Sequence, residues 1–130
     1  MIVLDASAAI DWLLQTPAGK RIESRIFSQN ESLHCPHLLD LEVAQVLRRL
    51  TREAVISAHR AEEAIDDLLD MQITRYPHFV FLPAIWRHRH NLSSYDSAYV
   101  VLARELQATL ITRDARLAAA VGRTGNVEVF

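Results

Sequence analysis

The chain has 130 residues, 50% of them hydrophobic and 23% charged, with a formal net charge of −2. That length supports one domain, 1–130, with a core that needs no staples, and the single Cys35 excludes an intrachain disulfide. The three glycines, Gly19, Gly122 and Gly125, form neither of the glycine-rich patterns that cradle nucleotide phosphates. No apolar run approaches the ~18–20 residues that span a bilayer, and no basic segment precedes an apolar one at the start, so a cytoplasmic protein without membrane contact is expected. Of the basic residues all but Lys20 are Arg, whose planar fork suits phosphate, although a coding bias toward Arg explains the same count.

Ile2-Val3-Leu4 is a short apolar run ending at Asp5, and Ser7 opens a helical stretch through Ile10, Leu13 and Leu14. Thr16-Pro17-Ala18-Gly19 breaks it, and Lys20 to Phe27 resumes with Ile22 and Ile26 four apart. Leu33 to Cys35 reads as a second strand, with Pro36 placed to start the next helix. That helix runs to about Arg52, with Leu39, Val43, Val46, Leu47 and Leu50 on one face, and residues 57 to 73 repeat the pattern after Ser57. Phe79 to Leu82 reads as a third strand, closed by Pro83 and followed by a short amphipathic segment from Ala84 to His90. Ser93 starts a helix through Leu106, Thr109 to Thr112 is a strand, Asp114 to Val121 is helical, and Val127 to Phe130 is a last strand. Strands separated by helices predict an α/β fold with a mostly parallel central sheet and helices on both faces. In such sheets ligands gather at the carboxyl ends of the strands.

Three acids occupy strand-to-helix or helix-start positions. Asp5 and Asp114 each follow a strand and precede a helix, where an N-cap is sufficient explanation, and Asp96 stands three residues after Ser93 at capping-box spacing. Glu42 differs, lying about 60° from Leu39 and about 40° from Val46 on the rim of an apolar helical face. A carboxylate there needs a partner, and Arg49 or Arg104 is the expected cation if the role is structural. Taken together, four acids that a parallel sheet brings to one edge repel one another unless a multivalent cation neutralises them. All-oxygen ligands favour Mg²⁺ or Mn²⁺. Setting those four acids aside turns the balance of the remaining chain slightly positive, which removes an objection to a nucleic-acid substrate.

Asp5-Ala6-Ser7 after the first strand, Pro36 and Leu38 leading to Glu42-Val43, Tyr95-Asp96 with Ala98, Tyr99, Leu102 and Ala103, and Leu110 through Leu117 together resemble the PIN-domain ribonucleases, and within them the VapC toxins of type II toxin–antitoxin modules. The resemblance covers nearly the whole chain. It implies a three-layer α/β/α fold, a divalent-metal-dependent endoribonuclease, inhibition by a cognate VapB antitoxin whose C-terminal region covers the active site, and a homodimer. Carried over by position, Asp5, Glu42, Asp96 and Asp114 match the acidic quartet that would hold Mg²⁺ or Mn²⁺, and Ser7 and Thr112 match hydroxyl positions near it. Gln45 departs from the pattern, standing where many relatives carry Asn.

Beyond the quartet, Arg113 and Arg116 flank Asp114 while Arg87 and Arg89 sit near the strand ends, making all four candidate phosphate contacts on an RNA substrate. Trp86 and Tyr95 are candidates for stacking on bases, whereas Trp12 shares a helix with Leu13 and Leu14 and is expected in the core. His34-Cys35-Pro36-His37 and His88-Arg89-His90 lack the paired spacing of a structural zinc site. The apolar helices between residues 36 and 73 offer surface for a second copy or for an antitoxin helix. Two non-enzymatic alternatives share the acidic cluster. A receiver-like signalling domain is one, although its expected Lys near the last strands is absent; a metal-binding interaction module without catalysis is the other.

Overall fold

Ile2–Leu4 form β1, wholly buried, at the centre of a five-stranded sheet in a computed structural model that describes residues 1–130 apart from the side chain of Thr124. The chain continues through α1 (Ala6–Leu13), α2 (Pro17–Ser28), β2 (Leu33–Pro36), α3 (Leu38–Arg52), α4 (Ala58–Asp70) and β3 (Ile73–Tyr76). A 3-10 turn over His78–Phe81 leads into α5 (Leu82–Arg87), followed by α6 (Ser94–Glu105), β4 (Thr109–Thr112), α7 (Ala115–Val121) and β5 (Val127–Val129). The strand order is β3-β2-β1-β4-β5 and every pairing is parallel. Strand order therefore reverses between β1 and β4, and the crevice outside their carboxyl ends is where an open parallel sheet accepts a ligand.

The strands are short and apolar because both faces of a parallel sheet are covered by helices. Ile2, Val3, Leu4, Leu110 and Ile111 form the floor, packed against Ile22, Leu39, Val43, Tyr99 and Leu102. From Ser97 to Ala103 every residue of α6 is buried, so this helix runs through the core and has no polar face along that stretch.

Three elements differ from the sequence expectation. The third strand is Ile73–Tyr76, which pairs in parallel with Leu33–Pro36, and Phe79 to Leu82 instead makes the 3-10 turn and the start of α5. The aromatic and branched residues there mimic a strand, but the edge beside β2 is already taken by Ile73–Tyr76, and Phe79, Val80 and Leu82 are exposed. The helix expected to reach residue 73 ends at Asp70, where Met71 turns extended. Nor does Pro36 start a helix; it is the last residue of β2.

Pro17 opens α2 directly, with the Thr16 hydroxyl accepting the Gly19 amide at 3.0 Å, so the predicted break is a cap. Gly19 is required by close approach: a Cβ there would stand 1.9 Å from the Asp11 carbonyl oxygen. Among the described residues no helix is long and apolar enough to cross a membrane.

Candidate active site

Asp5 leaves the carboxyl end of β1 in the N-cap position of α1, yet its side chain caps nothing. The Ser7 and Thr112 hydroxyls both donate to its Oδ2, each at 2.6 Å. These hydroxyls accept in turn from the loop after β4, Ser7 Oγ from the Arg113 amide and Thr112 Oγ1 from the Asp114 amide, both at 3.0 Å. The cap reading of Asp5 is thereby replaced by a lock that ties the β1–α1 junction to the β4–α7 junction. Both donors converge on Oδ2, and among the described residues no hydrogen bond to Oδ1 is seen. Asp5 is only 7% exposed, and Thr112 is fully buried.

Asp114 does cap its helix, its Oδ1 accepting the Arg116 amide at 2.8 Å and the Leu117 amide at 3.3 Å. Asp96 lies in the first turn of α6, whose N-cap Ser93 accepts the Asp96 amide at 3.1 Å. Burial raises the Asp96 carboxyl above the ordinary range; the Ser93 hydroxyl opposes this, and Asp5 and Asp114 add repulsion.

Glu42, on the first half of α3, accepts a hydrogen bond from the Tyr99 hydroxyl at 2.9 Å. The cation expected beside it is not there: Arg104 instead meets His88 at 3.1 Å, and among the described residues no Arg or Lys forms an ion pair with Asp5, Glu42 or Asp96. Burial pushes the Glu42 carboxyl up, the Tyr99 hydrogen bond pulls it down, and the charges of Asp5 and Asp96 push it up again. Mutual repulsion thus links Glu42, Asp5, Asp96 and Asp114 around one crevice. Tyr99 was not assigned a role from its residue type, although its place three residues after Asp96 on the same helix face is a signal that could have found it.

The donor set consists of hard carboxylate oxygens carrying net negative charge, with only the exposed Arg116 guanidinium near it, 3.7 Å from Asp114. That chemistry fits a hard divalent cation. Among the described residues, no group of three or more His, Cys, Asp or Glu stands close enough together to hold a metal ion as it is.

The remaining candidates scatter. The Arg113 guanidinium is engaged by Asp11 at 2.6 Å and by the Phe130 carbonyl, so it braces α1 against the end of β5. Arg116, Arg87 and Arg89 are exposed, as is Gln45. Trp12 is in the core as expected, donating to Glu23 at 3.1 Å. His34 is buried between Ser32 and Tyr76, at 2.8 and 2.9 Å, and burial lowers its basicity.

Residues 2–122 match the PIN domain family. A VapC ribonuclease of Mycobacterium bovis is 40% identical over 117 residues, covering 90% of this chain and 88% of the relative. This chain belongs to the PIN-domain family, among the VapC proteins. Ribonuclease VapC12 of Mycobacterium tuberculosis is 36% identical over 129 residues, 99% of this chain and 98% of its own length. In three dimensions the PIN domain superposes on VapBC2 from Rickettsia felis, solved bound to a promoter DNA fragment, with a TM-score of 0.69, 12% identity and coverage of 99% and 98% of the two chains. With the family shown, the receiver-like reading is set aside.

Proposed function

We propose that this PIN domain is the toxin of a type II toxin–antitoxin module, an endoribonuclease that hydrolyses RNA phosphodiesters with Mg²⁺ or Mn²⁺. The observation that supports the reading is that Asp5, Glu42, Asp96 and Asp114 act on one another electrostatically at the switch-point crevice, with no basic residue paired to the first three. Those four carboxylates would hold the cation. When bound, the ion lowers the pKa of a water and neutralises charge on the scissile phosphate.

The chain's own residues supply the rest. Ser7 and Thr112 hold the Asp5 carboxylate through Oδ2, which would leave Oδ1 for the cation, and Tyr99 holds Glu42. Asp96, at the start of α6, would orient the attacking water and take its proton. The water oxygen would bond to phosphorus as the bond to the 3′ oxygen breaks, and that oxygen would take a proton from solvent, giving a 5′-phosphate and a 3′-hydroxyl without help from the ribose 2′-hydroxyl. Arg116, Arg87 and Arg89 would meet flanking phosphates.

A cognate VapB antitoxin is the proposed inhibitor, supported by the likeness to the VapBC2 complex. A groove of about 740 Å³ beside α1, α2 and α4, floored by Trp12, Leu13, Ile26 and Phe27 and edged by Glu23, Asp67 and Asp70, suits a basic amphipathic segment. A second, largely apolar groove of about 500 Å³ between α3 and α4, lined by Ala44, Leu47, Ala61 and Ile65, is surface for the proposed homodimer.

Incubating antitoxin-free protein with total RNA, with and without Mn²⁺ or Mg²⁺, tests the reading. Metal-dependent cuts bearing 5′-phosphates, abolished by Asp5→Asn with the melting temperature at or above that of the parent, are expected. Cuts bearing 2′,3′-cyclic ends, or cleavage that survives Asp5→Asn, would overturn it.

A further inference from the structure

From Met71 to Tyr95 the chain contains no Asp or Glu, while Arg75, Arg87, Arg89, His78, His88 and His90 all fall in that stretch. Arg75 is committed to Asp40 at 2.8 Å and His88 to Arg104, which leaves Arg87 and Arg89 as the exposed cations at the end of α5. The Arg89 guanidinium lies over the Trp86 ring, 5.1 Å from its centroid, and donates to the Trp86 carbonyl at 3.1 Å. Trp86 is nevertheless 65% exposed and Tyr95 67% exposed.

These rings are not on a loose appendage. The opposite side of α5 buries Ile85 against Ala98 and Val101 of α6, with Leu38, Phe81 and Ala84 around them. That small core fixes α5 to the first turns of α3 and α6, the two helices that carry Glu42 and Asp96, and Tyr95 is the immediate neighbour of Asp96.

We propose that Trp86, Arg87, Arg89 and Tyr95 form a platform that receives an unpaired segment of the RNA substrate beside the acidic crevice. This rests on the ribonuclease reading and names residues outside the acidic quartet that would hold the substrate. Bases whose faces are free stack on the two rings, and their phosphates meet the guanidinium groups; in a duplex those faces are already occupied by neighbouring bases. The charge pattern favours RNA over a second copy of this chain. A two-fold contact centred on the stripe would bring Arg87 and Arg89 against their own equivalents with no carboxylate between residues 71 and 95 to separate them. For RNA, the same charge offsets the repulsion of phosphate by the neighbouring acids.

The test uses the full chain in EDTA, where cleavage is stopped, and fluorescence anisotropy of a labelled unstructured oligoribonucleotide of about 12 nucleotides, with a hairpin duplex for comparison. The unstructured strand is expected to bind more tightly than the duplex. Trp86→Ala should weaken it on the order of tenfold, with Trp86→Phe recovering most of the loss because a ring remains. Arg87→Gln and Arg89→Gln should each flatten the slope of log affinity against log salt by about 0.7.

Parent-like affinity in Trp86→Ala, or no binding by the parent, overturns the platform. So does a fall in the mass of the particle in solution by light scattering that accounts for the lost affinity, which would make the surface a contact between copies. Cleavage in Mn²⁺ is read separately. A parent that binds through Trp86 but never cuts sinks the ribonuclease reading and supports the platform; one that cuts while Trp86→Ala binds normally sinks the platform alone.

Discussion

The Tyr99 hydroxyl donates to Glu42 Oε2 at 2.9 Å across the interface between α6 and α3, from a ring that is almost completely buried. It is the only hydrogen bond to the Glu42 carboxylate among the described contacts, and it spans 57 residues of sequence. Burial and the facing Glu42 charge both push the phenol's pKa far up, so it stays a donor throughout the working pH range.

Tyr99→Phe removes that donor and leaves a half-buried carboxylate unsupported. Its expected cost is about 1.5–3 kcal/mol, the range for a hydrogen bond to a charged group, measured by denaturant unfolding without metal. The same change raises Glu42's proton affinity further, so the acid limb of the cleavage profile should move to higher pH. A parent-like limb with the stability loss intact would make Tyr99 a packing residue only.

Glu42 and Asp96 both weaken the metal-free fold once they are ionised. Both carboxyls are raised by burial, so the folded protein holds their protons where the unfolded chain has released them. Their contribution to stability is therefore fully present below the unfolded value and is lost as pH rises through the folded one. In metal-free protein, Glu42→Gln and Asp96→Asn should each unfold later than the parent at pH 8. That gain should vanish near pH 4, at the ordinary value for a carboxyl. Chemical denaturation across this range decides it; equal stability at pH 8 would mean the acids are already compensated. Mn²⁺ should stabilise the parent more than either variant.

Thr112 is fully buried, and besides a 3.4 Å contact with the Ser7 hydroxyl it serves two closer partners, donating to Asp5 and accepting from the Asp114 amide. Thr112→Val keeps the shape and removes both bonds. About 1–3 kcal/mol of stability should be lost per group left unsatisfied. Cleavage should fall more steeply than stability, because Asp5 is then held by Ser7 alone. Thr112→Ser, which restores the hydroxyl, should recover most activity. Recovery of stability without activity would separate the fold from the lock.

The grammar of strand, acid and helix was legible at both Asp5 and Asp114 because each follows a short apolar run and precedes a helical one. What the Asp5 carboxylate does there was not legible. A cap and a lock place the same residue at the same position, and the difference is made by Thr112, 107 positions away. The partner of Glu42 was missed for a related reason: periodicity put the carboxylate on the rim of an apolar face and showed that it needed a donor, but a phenol from the neighbouring buried helix supplied it where an arginine was expected.

Phe79 to Leu82 illustrates the limit from the other side. Aromatic and branched residues make a strand by propensity, yet the ladder beside β2 is taken by Ile73–Tyr76, which pairs with it residue for residue. By itself, the sequence determined the order of most elements, the parallel α/β class and the placement of three acids at helix starts, because period and capping are local properties. Only the tertiary structure decided which run joins the sheet edge, which hydroxyls hold Asp5 and what faces Glu42, because those choices depend on groups brought together from distant parts of the chain.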